Sequence, residues 1–216
     1  DDTPESVMIS GFNPIRRHLA KRALEKLMAD GRIHPSRIEE VVQQCKKELA
    51  IDIKKAGEEA AYKANIVGLD TKLVQILGRL KYRTSYGQNQ LQHALEVSHL
   101  SGLLAAELGA DVNVCKKGGL LHDIGKALDH EIQGSHPDIG YDLMKKFNIP
   151  EDVAYMSIAH HENEPKNIEG IVVKIADAIS GSRPGARRDS FEEYVQRLTE
   201  LENTAKSFAG VEKAFA

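Results

Sequence analysis

Tryptophan is absent from the 216 residues, aromatic side chains make up only 5% of them, and cysteine occurs twice. The scarcity of aromatics leaves few platforms on which single-stranded bases can stack. Any nucleic-acid contact therefore rests mainly on backbone phosphates and carries weak sequence preference. Cys45 and Cys115 lie far apart with no CxxC spacing, which speaks against a disulfide framework and for a reduced, cytoplasmic compartment in which both are small core residues. No apolar run approaches the roughly 20 residues that span a bilayer, so this piece is expected to be soluble and to make no membrane contact. A strong charge of one sign is missing too. The formal net charge of -3 gives no global signature of a polyanion partner, and a phosphate site has to be built from local cations or a bound metal. Initiator methionine and signal peptide are also lacking, and the chain opens at Asp1-Asp2-Thr3-Pro4 as a fragment of a longer protein does.

What is present reads as a globular, helical protein. Hydrophobic residues make up 41% and charged residues 28%, and the length suffices for a sizeable core. Asn13-Pro14 offers an N-cap and a first-turn proline, followed by a stripe of Ile15, Leu19, Ala23, Leu24 and Leu27 and a stop at Gly31. Before it, Val7-Met8-Ile9 is a short β-prone run with no partner strand in the sequence. From Pro35 to about Ala64 apolar positions recur at helical period, predicting one long connector with any kink at Gly57. Asp70 caps a short helix. Further helices are expected over 89–108, 112–122, 137–147, 150–161 and 168–180, then a loop from Gly181 to Arg188 and a last helix through Phe191, Tyr194, Val195, Leu198 and Leu201.

Chemistry concentrates in histidines and aspartates. His122-Asp123 ends an apolar helix in Leu120-Leu121-His122-Asp123-Ile124-Gly125-Lys126. Neighbouring helical side chains diverge by about 100 degrees, so the two can meet one ion only where the helix ends, and Gly125 supplies that ending. Asp177 sits in the apolar Val172–Ala178 stretch, where an unpaired carboxylate is costly and a metal would explain it; an outward-facing Asp is the alternative. His160-His161 is either a ligand pair or a surface pair before Pro165. Mixed imidazole and carboxylate donors suit Mn, Mg, Fe, Co, Ni or Zn with open positions rather than a structural zinc knot. Lys126 is close enough to turn into the same pocket, and Arg183, Arg187 and Arg188 form a cationic cluster suited to phosphate. A solvated loop and a solvated lysine are the bland alternatives. His18, His34, His99 and His130 stand outside the pattern.

In order, His93, His122-Asp123 and Asp177 resemble the H…HD…D signature of the HD-domain metal-dependent phosphohydrolases. The resemblance implies an all-α HD-domain helical bundle. His136 and His160-His161 resemble the extra ligands of the subgroups that hold two metals, although the Ala159–Pro165 run lacks the Gly-Tyr-Pro element of the cyclic-dinucleotide phosphodiesterases. A closer resemblance covers essentially the whole chain. Leu91–Leu100, the HDIGKALDHEIQGSHPDIG stretch and Ser182–Arg188 are similar to the bacterial ribonuclease Y family of endoribonucleases. It implies a short β-strand plus helix remnant of a KH domain over 1–32, a long helical connector over 33–68 and the HD domain over 69–216. The phosphate-gripping GXXG loop of a KH domain is not in this sequence.

That resemblance implies hydrolysis of single-stranded RNA with one or two divalent ions, manganese foremost, initiating mRNA decay. His93, His122, Asp123 and Asp177 would hold one ion, with Asp123 bridging to a second at His136, His160 and His161. Asp123 and Lys126 are the expected catalytic residues, and Lys126, Arg183, Arg187 and Arg188 the expected phosphate contacts. It further implies a homodimer through the HD region, partners in RNA degradation, and a parent protein anchored to the membrane elsewhere. The competing readings are an HD phosphohydrolase of nucleotides or cyclic dinucleotides, and a non-catalytic HD assembly module.

Overall fold

Asn13 starts the first helix: its Oδ1 accepts from the Ile15 and Arg16 amides at 3.0 Å each, and α1 runs Pro14–Asp30. This computed structural model describes residues 6–183, 186, 191–208, 210–211 and 213–214, the side chains of 191–197 excepted. The long helix α2 (Pro35–Lys63) is capped by His34, whose ring nitrogen accepts from the Arg37 amide. Together α1 and α2 enclose a small cluster of Ala23, Leu27, Val41 and Cys45.

The strand expected at Val7-Met8-Ile9 does not form: residues 6–10 have no regular structure, and Met8 is 85% exposed. Among the described residues no strand lies beside it, and an isolated strand gains no ladder bonds. The β structure among the described residues is instead a two-residue antiparallel pair, β1 (Thr84–Ser85) and β2 (Gln88–Asn89), leading into the site-bearing helix.

Helix α2 is continuous through Gly57. The following helix α3 (Thr71–Arg79), capped by Asp70, crosses there in near backbone contact. A Cβ on Gly57 would lie 1.9 Å from the Val74 carbonyl oxygen, and one on Gly78 would lie 1.9 Å from that of Ile53. The glycine serves close packing.

The rest of the chain follows the predicted order: α4 (Gln90–Leu108), α5 (Val112–Leu121), α6 (His136–Lys146), α9 (Ile168–Ser182) and α10 (Phe191–Lys206). Two departures stand out. The helix expected over 150–161 is split into α7 (Glu151–Ala154) and α8 (Met156–Ala159), although Tyr155 keeps helical backbone angles. At its far end α9 continues two residues past Ser180 into the expected loop. Leu73, Leu77, Leu80, Leu120, Leu121, Ile124 and Met144 fill the main core with no exposed surface. The C-terminal half of α2 and its cap residue join that core through Ala56, Ala60 and Ala64. The pairings of α4 with α5 and α9 bring the functional side chains together.

Candidate metal centre

Five segments converge on one buried spot. His93 comes from α4, His122 and Asp123 from the end of α5, His136 from the first turn of α6, His160 and His161 from the end of α8, and Asp177 from α9. Helix α5 stops at Leu121, and Asp123 leaves helical geometry at φ -105, ψ 15, so both members of the pair turn inward. The break precedes Gly125, which has another task. A Cβ there would lie 2.0 Å from the His136 carbonyl oxygen, so glycine lets the 3-10 turn Ile124–Ala127 seat against the start of α6 and bring His136 to Asp123.

Three of the histidines have their orientation fixed from behind. His122 Nδ1 donates to the Gly119 carbonyl at 2.7 Å, and His160 Nδ1 to that of Met156 at 3.0 Å. His93 Nδ1 is 2.9 Å from Ser180 Oγ. In each case Nε2 faces the centre, as metal-ligating histidines do when their second nitrogen is held by a hydrogen bond. Those three Nε2 atoms and Asp123 Oδ1 are buried and make no well-aligned hydrogen bond, facing only one another, His136 and Asp177. Buried polar atoms are rarely left so, and each one costs about 1–3 kcal/mol. Such a set of inward-facing lone pairs fits a cation.

The two carboxylate oxygens of Asp123 divide the cluster. On the Oδ2 side lie His122 Nε2 at 3.2 Å and His93 Nε2 at 3.7 Å, with Asp177 Oδ1 3.0 Å from His93 and 3.9 Å from His122. Toward Oδ1 lie His136 Nε2 at 3.3 Å and His160 Nε2 at 3.6 Å, and His161 Nε2 is 3.0 Å from that of His136. His93, His122 and Asp123 form one group with ligand spacing and His136, His160 and His161 another, while His122, His160 and Asp177 form a third that spans the two.

Electrostatics matches this arrangement. Burial pushes the Asp123 carboxyl up, but His122, His136 and His160 outweigh it and hold the group well below the usual carboxylate range. For Asp177 burial is likewise overcome, by His93 and His122. Burial lowers His160 and His161, favouring the neutral imidazoles that bind metals. His122 is the exception: Asp123 and Asp177 outweigh its burial and raise it.

Lys126 does turn into the pocket, its Nζ donating to Asp123 Oδ2 at 2.7 Å and to Gln90 Oε1 at 3.1 Å. Arg183 is not a free cation. It forks onto Glu96, with Nε 2.9 Å from Oε1 and a terminal nitrogen 3.2 Å from Oε2. Arg187 and Arg188 lie outside the described residues. Sequence reasoning missed Gln90, Glu96, Ser157 and Ser180, although Glu96 follows His93, and Ser180 follows Asp177, at helical i,i+3 spacing. Ser157 Oγ is 3.0 Å from the His122 carbonyl and fastens the end of α5 to α8. His99 is exposed and lies outside the cluster.

The HD domain family matches residues 91–182. Over the whole chain the sequence is 56% identical to ribonuclease Y of Desulforudis audaxviator, of which it covers 42%. It is 57% identical to ribonuclease Y of Alkaliphilus metalliredigens, covering 46% of it, and 58% identical to that of Thermoanaerobacter pseudethanolicus, covering 43%. The chain thus spans less than half the length of these curated relatives. No solved structure gives a significant match. Among the described residues no helix is long and apolar enough to cross a membrane. An HD domain implies a divalent metal, and the His/Asp cluster can hold one. Along its entire length, therefore, this chain is homologous to a segment of ribonuclease Y that carries the HD domain.

Proposed function

We propose that this chain is the hydrolytic part of a metal-dependent endoribonuclease that cuts phosphodiester bonds of single-stranded RNA and initiates mRNA decay. The observation that carries this reading is the convergence of inward-facing buried lone pairs from His93, His122, His160 and Asp123. Homology to proteins named ribonuclease Y directs it to RNA. In this reading His93, His122, Asp123 and Asp177 hold one divalent ion, and His136, His160 and His161 hold a second that shares Asp123. Manganese is the ion that the ribonuclease Y resemblance points to, and the mixed imidazole and carboxylate, thiolate-free donor set is open to it as to Fe, Co, Ni or Zn. When bound, the ion supplies Lewis acidity toward a phosphoryl oxygen and lowers the pKa of water.

The chain's own groups do the rest. The hydrogen bonds at Gly119, Met156 and Ser180 fix three imidazoles so that only Nε2 faces the pocket. Lys126 holds Asp123 Oδ2 and brings a positive charge to where a phosphoryl group gains negative charge. Arg183, half exposed while it holds Glu96, supplies a phosphate contact, with Arg187 and Arg188 as further contacts in the same proposal. The division into 1–32, 33–68 and 69–216 belongs to the same proposal, as do membrane anchoring of the longer parent and its assembly with other proteins of RNA degradation. Self-association is supported by Ile168, Ile171, Ile175 and Ile179, each 43% exposed on α9. At 100 degrees per residue these four fall within about 80 degrees of arc, a narrow apolar ridge.

The test is a cleavage assay on 5′-monophosphorylated single-stranded RNA, with cyclic dinucleotides and nucleotides as competing substrates, in Mn2+ or Mg2+. Asp123→Asn is expected to lose cation binding and at least about 10²–10³-fold in rate, the scale of removing one electrostatic element of a site. RNA cleavage by the variant at the wild-type rate would overturn the metal mechanism. Hydrolysis of cyclic dinucleotides or nucleotides but not RNA would overturn the substrate.

A further inference from the structure

Behind His93 lies a chain of contacts that ends in the arginine-bearing segment. Ser180 Oγ, fully buried, is 2.9 Å from His93 Nδ1 and 2.6 Å from Glu96 Oε2. A serine hydroxyl has one proton to give, and a carboxylate can only accept. That proton goes to Glu96, so Ser180 Oγ is left as an acceptor toward His93. Gln88 Nε2, 3.5 Å from the same oxygen and 3.1 Å from the Ser180 carbonyl, is another donor and offers the hydroxyl proton no alternative destination. A neutral His93 thus has an acceptor on either side, Ser180 Oγ at Nδ1 and Asp177 Oδ1 3.0 Å from Nε2, and the Ser180–Glu96 pair is what allows the ring to carry its proton on Nδ1 and turn a lone pair from Nε2 toward a cation. The two-pronged contact of Arg183 keeps the Glu96 carboxylate turned toward Ser180.

We propose that Ser180, Glu96 and Arg183 are positioning residues that set the tautomer of His93, so that the segment following α9 governs cation affinity without touching the cation. The proposal rests on the reading of His93 as a metal ligand. Removal of Glu96 frees the hydroxyl to donate to His93 Nδ1, which moves the ring proton to Nε2 and blocks that nitrogen. Displacement of Arg183 loosens Glu96 and acts in the same direction, more weakly.

The experiment uses the whole chain in two states. Long-range proton–nitrogen NMR of the metal-free protein, with His93 assigned by its disappearance in His93→Gln, reads the tautomer directly. The wild type is expected to show a population protonated on Nδ1, and Glu96→Ala a shift to the form protonated on Nε2 and paired with Asp177. Titration calorimetry with Mn2+ is expected to give about 10–100-fold weaker binding for Glu96→Ala, the usual scale for losing a group that orients a metal ligand. Glu96→Gln, which keeps a carbonyl acceptor, recovers most of that loss. Should Glu96→Ala fail to fold, Ser180→Ala is read in the same two ways. An unchanged tautomer and unchanged Mn2+ affinity in a folded variant overturn the positioning chain. A wild type that binds no Mn2+ overturns the metal reading instead, while the metal-free spectra still decide the tautomer.

Discussion

A single residue can be silent because of where it sits. Cys115 is fully buried, and burial, aided by the negative charges of Glu169 and Asp111, pushes its thiol from 9.0 up to about 12. Only the thiolate is an effective nucleophile. Cys115 is therefore expected to resist iodoacetamide at pH 8 in the folded protein and to react once urea unfolds it; labelling followed by mass spectrometry reads this. The folded state holds this proton more tightly than the unfolded state does. The associated stability is thus fully present below pH 9 and is lost as pH rises from 9 toward 12. Over that window the urea midpoint of the wild type should fall further than that of Cys115→Ala, and equal falls would contradict the assignment. The reading of Cys115 as a core residue was available from the sequence, as was the set of His and Asp side chains. Glu96 and Ser180 were not: only the packing of α4 on α9 brings a hydroxyl and a carboxylate together behind His93.

At the scale of elements, start and stop signals were legible because they act locally. Asn13, Asp70, Asn89 and Asp111 each cap the helix that follows within two or three residues. Gly57 could not be read that way. Helix propensity alone says that Gly57→Ala should stabilise α2 by up to about 1 kcal/mol. Against this, the added methyl would overlap a backbone carbonyl at 1.9 Å, and no side-chain rotation relieves that. Overpacking of this kind costs roughly 1–3 kcal/mol or more, so the sign reverses. We expect Gly57→Ala to be destabilised by about 2 kcal/mol, which lowers Tm by roughly 4–8 °C in a domain of this size. Gly78→Ala, the reciprocal position, should do the same. A calorimetric scan in which either variant melts above the wild type would refute the close crossing of α2 and α3. The division of the 150–161 helix at Tyr155 escaped prediction for a similar reason. Its flanks are held by contacts made elsewhere, Met156 against Gly118 and Ser157 against the end of α5.

For the molecule as a whole, the isoleucine ridge of α9 is the feature that the monomer leaves unexplained. Self-complementary apolar faces favour two-fold dimers. Light scattering at micromolar concentration is expected to give twice the chain mass for the wild type and a monomer for Ile175→Lys, with helix content unchanged. A monomeric wild type would sink the idea. The ridge, Asp177 and Ser180 all lie on α9, so on the proposed function this one helix would link assembly to chemistry.

The candidate ligands are also strung out along the polypeptide, from His93 on α4 to Asp177 on α9. No short stretch carries a working set, and a metal site of this kind is not preformed in an unfolded chain. A nascent polypeptide still held by the ribosome before Asp177 has emerged therefore lacks the complete pocket. On the proposed function, synthesis itself delays the appearance of nuclease activity, and the transcript being read is shielded from its own product until the domain has closed.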